Sequence, residues 1–392
     1  MVQSNQKVLM LLSDPYRPDV RLRKELDSLG KLGLNITIVA WDRENTYPAA
    51  ETIKGGRVIR LKIRGAYSKN ALFQMILLFR FWWVLFWYLM KEEGDLIHAH
   101  NLDTLPPGFL AAKLKGIKII YDAHEAFPEK VEMRAPKMAG WIMYMIESFL
   151  VRRIDATIAV TQPLLKKYAQ WQAKRLILVP NYADSNFYDH QAIKKQSNVF
   201  TISWIGSIRP FSGIDLLLRA IPQVLTVIKG EKIKVFLAGK IYGSKFKVLL
   251  DQLIRPIKPN VEIRGWVPYE ELPQVYTGVD LAVNFLYPCR ANEVALSVKL
   301  LEALACGVPV ITTKVGPIQD IIREGDCGML VDYDQQQVID AIVKMIAQKD
   351  ALAKMGERGR RLVKEKYNWE RVGGQLVELY RDLLEFKEVN SG

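Results

Sequence analysis

Apolar residues fall into short, nearly continuous runs separated by longer polar or amphipathic stretches. The runs Lys7–Leu12, Asn35–Trp41, Arg57–Ile63, Asp95–His100, Lys118–Asp122, Ala156–Ala159 and Leu176–Val179 have strand length. Between them lie stretches of helical length at Asp19–Leu32, Ala71–Met90, Leu105–Lys115 and around Pro163–Gln170. The pattern restarts with Phe200–Ile205, a helix after Gly213, Lys234–Ala238, Val261–Arg264, helix Glu270–Thr277 and Leu281–Phe285. Strands alternating with helices predict parallel, doubly wound sheets, and two restarts predict two Rossmann-like domains. The polar stretch Ser185–Ser197 reads as the linker. Expected boundaries are therefore 1–195 and 196–371, with a final helix at 372–392 returning to the first domain.

Composition narrows the class. A chain of 392 residues is too long for one ordinary core. With 49% hydrophobic and 25% charged residues it reads as globular. Its three cysteines, Cys289, Cys306 and Cys327, are odd in number and lack metal-ligand spacing, which points to a reducing, cytoplasmic compartment. The apolar run near the N-terminus is too short for a secretory signal. A net charge of +13 implies an anionic partner. No nucleic-acid motif accompanies it, so acidic lipid or a phosphorylated substrate is the expected partner.

Ala71–Met90, ALFQMILLFRFWWVLFWYLM, is long enough to span a bilayer. It also contains Gln74 and Arg80 and lies between two predicted strands of one sheet, which a membrane span would separate. Trp82, Trp83, Trp87 and Tyr88 favour membrane interfaces, and Arg57, Arg60, Lys62, Arg64 and Lys69 precede them. The reading is a helix with one face in the core and the other on an anionic membrane. A plain core helix and a transmembrane span are the two other readings.

Candidate chemistry concentrates in Ala291–Gly316. A short helix, Val298–Ala305, is expected there, with Ser297 as N-cap, Gly307 as C-terminal stop and strand Val308–Thr312 following. A helix N-terminus suits a phosphate, Lys299 adds a positive charge in the first turn, and Glu302 lies one turn on, placed to accept from ribose hydroxyls. Together these describe a nucleotide-diphosphate site. Upstream, Ser203–Asp215 reads as strand, glycine-bounded loop and helix, in which Gly206 and Ser207 let a phosphate approach. Arg209 is the cation of that loop. With Lys299 it forms the expected diphosphate clamp.

In the first half, His98, His100, Asp103, Asp122, His124 and Glu125 cluster at the C-terminal ends of predicted strands. Their spacing matches no common ligand pattern, so no metal is expected. Strand alternation is expected to turn one of His98 and His100 to the packed side of the sheet.

The run Glu302-Ala303-Leu304-Ala305-Cys306-Gly307-Val308-Pro309-Val310-Ile311 resembles the donor signature of GT-B glycosyltransferases, particularly family 4. That pattern has a second glutamate eight positions upstream. Here Val294 occupies that position, and Glu293 is the neighbouring acid. The resemblance implies that Glu302 holds the ribose and Glu293 contacts the transferred sugar. The family's loop cations are replaced by Ser207 and Ser212. Val261–Pro268 resembles the segment whose backbone reads the base, which brings in Trp266 and Val267. Pro180-Asn181-Tyr182-Ala183-Asp184…Phe187 matches the end of the family's first domain with Tyr182 in place of glycine. The Gly-rich loop many members carry after the first strand is replaced by basic, aromatic Ser13–Lys24, so Tyr16, Arg17 and Asp103 are the acceptor-side candidates. His124 matches the histidine that contacts the donor sugar, with Asp122 placed to orient it or to contact the acceptor.

What the resemblance implies is a GT-B fold, two Rossmann-like doubly wound parallel-sheet domains facing a cleft. The enzyme would be a retaining, metal-independent glycosyltransferase with no cofactor beyond its nucleotide-sugar co-substrate. With the cysteine count, the apolar helix and the basic charge, the reading is a cytoplasmic enzyme, peripheral to the membrane and active on a sugar or lipid-linked acceptor. His124, Asp122, Arg209 and Lys299 are the catalytic candidates. An epimerase of the same architecture, or a non-catalytic sugar-nucleotide or membrane-binding module, fits the same motifs.

Overall fold

The computed structural model describes residues 6–16, 19–65, 71–133, 135–184, 187–188 and 198–385. The chain forms two compact units, one of residues 1–180 with 371–392, the other of 181–370. The sequence-based boundary lay at 195, and most of the expected linker Ser185–Ser197 falls outside the described residues.

Among the described residues the first unit holds eight strands: β1 (Lys7–Leu12), β2 (Asn35–Trp41), β3 (Ala50–Ile53), β4 (Gly56–Leu61), β5 (Leu96–His100), β6 (Lys118–Ala123), β7 (Ala156–Ala159) and β8 (Leu176–Leu178). Their order is β3-β4-β2-β1-β5-β6-β7-β8. Among these described strands, the edge strand β3 alone is antiparallel, to β4. It was missed in the sequence because it is exposed and polar (AETI), and only the Gly55-Gly56 turn marks it. The order reverses between β1 and β5, the place where open parallel sheets bind ligands beyond their strand ends.

Helix Ala71–Lys91 carries the chain from β4 to β5. Leu77, Phe81, Leu85 and Leu89, four residues apart, are buried and form its core stripe. Phe81 stacks on Trp41 with ring centroids 4.3 Å apart. By length and composition Phe73–Lys91 is apolar enough to cross a membrane, but its crossover between strands of one sheet, with a packed stripe, makes it a surface helix of this unit. The C-terminal helix Trp369–Leu383 joins the same unit from Arg371 onward. Its Tyr380 hydroxyl bonds His98 Nδ1 at 2.7 Å.

The second unit is a six-stranded, fully parallel sheet of β9 (Val199–Ile205), β10 (Lys232–Ala238), β11 (Val261–Arg264), β12 (Leu281–Asn284), β13 (Val310–Thr313) and β14 (Gly328–Val331). Its order is β11-β10-β9-β12-β13-β14, with the reversal between β9 and β12. Alternation along β9 sends Phe200, Ile202 and Trp204 into one apolar layer with helix Ile214–Val227. The opposite layer takes Leu300, Leu301 and Leu304 of helix Val298–Ala305. The loop after β9 passes so close to β12 that a Cβ at Gly213, where φ is +77°, would lie 1.5 Å from the Phe285 carbonyl oxygen. We therefore expect Gly213→Ala to destabilise this unit by roughly 1–3 kcal/mol, read as a lower urea midpoint for its transition and an unchanged one for the first unit.

Candidate active site

In the second unit, the ends of β9 and β12 bring Gly206, Arg209 and Lys299 to one edge of the sheet. Lys299 lies in the first turn of helix Val298–Ala305. Its side chain runs across Gly206, so closely that a Cβ at Gly206 would lie 2.0 Å from Lys299 Cε. Gly206 has φ +136°, which favours glycine, and its N–H donates to the Ala238 carbonyl at 2.7 Å. Burial lowers the Lys299 pKa, Glu302 opposes this, and the like charge of Arg209 adds to it. The guanidinium of Arg209 lies 4.8 Å from the Tyr242 ring centroid, and its Nε is buried with no hydrogen-bond partner among the described residues. Two partly desolvated cations that repel each other create a local demand for an anion.

Ser297 occupies the N-cap position as expected but makes no capping bond. Its Oγ instead accepts from Asn284 Nδ2 at 3.3 Å, because β12 runs directly beneath the turn. The first-turn amides therefore have no side-chain cap, the arrangement that suits a phosphate. Gly307 follows the helix at φ +74°. The strand after it spans Val310–Thr313, two residues later than expected at its start. Glu302 is buried one turn below Lys299, in electrostatic contact with Lys299, Tyr188 and Tyr276.

The remaining donor-side candidates are more open. Ser207 is half-buried in the loop after β9, and Val267 is buried. Trp266 is 73% exposed. Glu293 ends the short helix Arg290–Glu293 and is exposed. A cavity of about 160 Å³ lies beside Tyr276, Cys306 and Arg360, at the far end of helix Val298–Ala305 from Lys299.

The first unit builds a different environment. Asp122 Oδ2 receives Arg21 Nη2 at 2.6 Å and Nε at 3.2 Å, and Arg21 also meets Glu25 Oε1 at 2.9 Å. All three are buried. Burial pushes the Asp122 pKa up, but Arg21 and His124 outweigh it and hold the carboxyl well below its usual range. Burial, reinforced by Asp122 and opposed by Arg21, raises Glu25 well above its own.

His98 and His100 are both buried and stack at 4.2 Å between ring centroids. This corrects the expectation that they would face opposite ways: residues two apart in a strand share a face. Burial lowers His98 to about 3 and His100 well below its ordinary value, so both rings are neutral. His124 retains 21% side-chain exposure. Its Nε2 turns inward to His100 Nδ1 at 3.0 Å and Asp122 Oδ2 at 3.4 Å.

Glu25, His98, His100 and Asp122 are close enough to hold a metal ion, but the Arg21 guanidinium already supplies the positive charge their carboxylates face. The basic loop expected after β1 is accordingly reassigned. Arg21 and Lys24 lie in helix Val20–Leu29, buried rather than presented to a ligand. Tyr16 is buried, held at φ +46°, with its carbonyl accepting from Arg60. Arg17 lies outside the described residues. Sequence reading missed Arg21 and Glu25. Their spacing of four on one helix was the available signal.

Asp103, in the loop after β5, lies near Ser13, Arg43 and Glu125. Its Oδ1 is buried without a hydrogen-bond partner among the described residues.

The family described as "Glycosyl transferase 4-like domain" matches residues 18–182, and "Glycosyl transferases group 1" matches 199–348. The chain belongs to the family 4-like glycosyltransferases. The D-inositol 3-phosphate glycosyltransferase of Corynebacterium urealyticum is 25% identical over 93% of this chain and 90% of its own. The sucrose-phosphate synthase of Thermosynechococcus elongatus superimposes with TM-score 0.79 at 20% identity, covering 97% of this chain and 100% of that one. HepE of Anabaena, solved with UDP and glucose, gives 0.71 at 17% identity over 96% and 100%. The fold is GT-B, and the chain is a glycosyltransferase.

Two predictions follow from the contrasting electrostatics. Lys299→Met removes a desolvated cation, so the unfolding free energy of the ligand-free protein should stay within about 1 kcal/mol of wild type. The same change should abolish the thermal shift caused by UDP or GDP, whichever stabilises the wild type. The second concerns Asp103, whose carboxyl burial raises to about 6, with Glu125 and Asp14 adding and Ser13 and Arg43 opposing. A carboxyl with a raised folded-state pKa stabilises the fold below its unfolded pKa, and this is lost as pH rises through about 6. Asp103→Asn should therefore flatten the pH dependence of stability and gain about 1–2 kcal/mol over wild type on the alkaline side, measured by urea unfolding on both sides of that pH.

Proposed function

We propose that the enzyme transfers a glycosyl group from a nucleotide-diphosphate sugar, with retention and without a metal, to a membrane-borne glycan acceptor. The observation that carries the donor half is the Lys299 ammonium laid over Gly206 beside the uncapped helix N-terminus. As the glycosidic bond to the diphosphate breaks, negative charge develops on the leaving oxygen. Lys299, Arg209 and the first-turn amides stabilise it, which is pre-organised electrostatic catalysis. Glu302 accepts from the ribose hydroxyls and fixes the nucleotide. Glu293 contacts the transferred sugar. His124, oriented by Asp122, serves the sugar from the first unit. The departing diphosphate takes the acceptor proton, and Asp103 lies on the acceptor side.

The acceptor half rests on helix Ala71–Lys91. Its outward face carries Phe73, Ile76, Phe79, Trp83 and Trp87, all exposed, with Trp83 at 66%. A soluble acceptor gives no reason to expose such a row, whereas an interfacial helix does. The exposed row supports the reading of an enzyme peripheral to the membrane, working on its cytoplasmic face.

The test is release of nucleoside diphosphate from UDP- and GDP-sugars, with and without extracted membrane lipid. Release should depend on the lipid, the sugar should move to the lipid fraction, and its anomeric configuration should match the donor's. A changed sugar nucleotide formed from donor alone would identify an epimerase instead. In the same assay system, Glu302→Ala should weaken nucleoside diphosphate binding by roughly 1–3 kcal/mol, and unchanged affinity by calorimetry in a folded variant removes the ribose role.

A further inference from the structure

Helix Lys137–Val151 is built inside out. A helix on the face of a soluble α/β unit ordinarily buries its apolar stripe and exposes its charges. This one buries Glu147 and Ser148, along with Gly140, Leu150 and Val151. It turns Met138, Trp141, Ile142, Met145 and Phe149 outward, with Met138 at 70% and Trp141 at 60% exposed. The orientation is fixed by Glu147. Tyr121 and Tyr168 donate their hydroxyls to Glu147 Oε1 at 2.7 and 2.8 Å, and Lys167 Nζ reaches Oε2 at 3.0 Å. Lys167 is itself 4.9 Å from the Trp171 ring centroid. Rotating the helix to bury the apolar face would strip Glu147 of all three partners. The anchor therefore commits the apolar face to the outside.

We propose that this helix, together with its neighbours Ala71–Lys91 and Leu105–Lys115, forms a docking surface for an anionic lipid bilayer. The proposal deepens the membrane reading given above and rests on it. Helix Leu105–Lys115 packs against Ala71–Lys91 and touches Lys137–Val151, and it contributes exposed Leu110 and Leu114. Charge selects the occupant. The three helices contain a single acid, Glu147, and it is buried. Their exposed charges are Arg80, Lys91, Lys113 and Lys137, and Arg152 and Arg153 follow directly. Arg153 lies 3.7 Å from the Phe149 ring centroid, a cation placed at the rim of the apolar face. Glu92 and Glu93, just past Lys91, are paired with Arg57 and Lys7, so the charges exposed within these helices are cationic, which favours acidic headgroups over a second copy of the same face, with tryptophan and methionine reaching the acyl boundary.

The experiment is sedimentation of the full chain with phosphatidylglycerol–phosphatidylcholine vesicles and with phosphatidylcholine alone, at low and high salt. The wild type should bind the anionic vesicles, and more weakly as salt rises. Trp141→Ser and Phe149→Ser should each weaken binding about tenfold while leaving the melting temperature and the thermal shift with UDP or GDP unchanged, since these side chains are outside both the core and the donor site. Arg152→Glu with Arg153→Glu should remove the preference for anionic over neutral vesicles. Equal partition of wild type and Trp141→Ser overturns the assignment of this helix. A wild-type dimer in ultracentrifugation that Trp141→Ser dissociates overturns the choice of a bilayer. Because the nucleotide shift is read separately, loss of docking with the shift retained leaves the donor site standing. Loss of the shift in the wild type would sink the donor reading alone.

Discussion

One desolvated ammonium sets the terms for the second unit. Lys299 crosses Gly206 at a distance no side chain at that position would allow, and the glycine's left-handed backbone is what lets β9 end there. The helix carrying Lys299 is fixed by Leu300, Leu301 and Leu304 in the apolar layer behind it, which sets where the side chain starts. The like charge of Arg209 sharpens its need for an anion. Fold and chemistry are joined here: the reversal of strand order between β9 and β12 opens the place, and the uncapped helix end and two cations give it a sign.

The first unit solves its electrostatics the opposite way. Its densest cluster of ionisable groups is closed on itself, with Arg21 bridging Asp122 and Glu25 and two buried histidines kept neutral. It fixes geometry, and it does so over long sequence distance, since His98 on β5 receives Tyr380 from the C-terminal helix. His124 is the member that reaches solvent. The two units thus differ in kind: the first keeps its charges paired behind His124, and the second leaves positive charge unmet around Lys299.

The surface shows the same separation of roles. Helix Ala71–Lys91 is amphiphilic in packing though not in sequence, because a core stripe of four apolar residues leaves other apolar residues with nowhere to go. Helix Lys137–Val151 reaches a similar state through a buried carboxylate. Two helices with different internal logic expose the same apolar chemistry beside cations.

Much of the fold and the donor side was written in the sequence itself. Short apolar runs alternating with helices pointed to parallel sheets, because strands buried on both faces need helical covers. Ser297–Gly316 carried a helix start, a cation and a glycine stop at fixed spacing, all local signals. What the sequence alone did not decide were the long-range pairings. Whether Arg21 would meet a ligand or Asp122, 101 residues away, depended on which strand ends became neighbours. Ser297 lost its capping role to Asn284 for the same reason. The outward face of Lys137–Val151 followed from tyrosines on β6 and the helix Gln162–Gln170, a choice no local periodicity encodes. Local patterns fix which element forms and which residues it offers. Only the packed sheet decides which of those residues are satisfied inside the protein and which are left to act on something else.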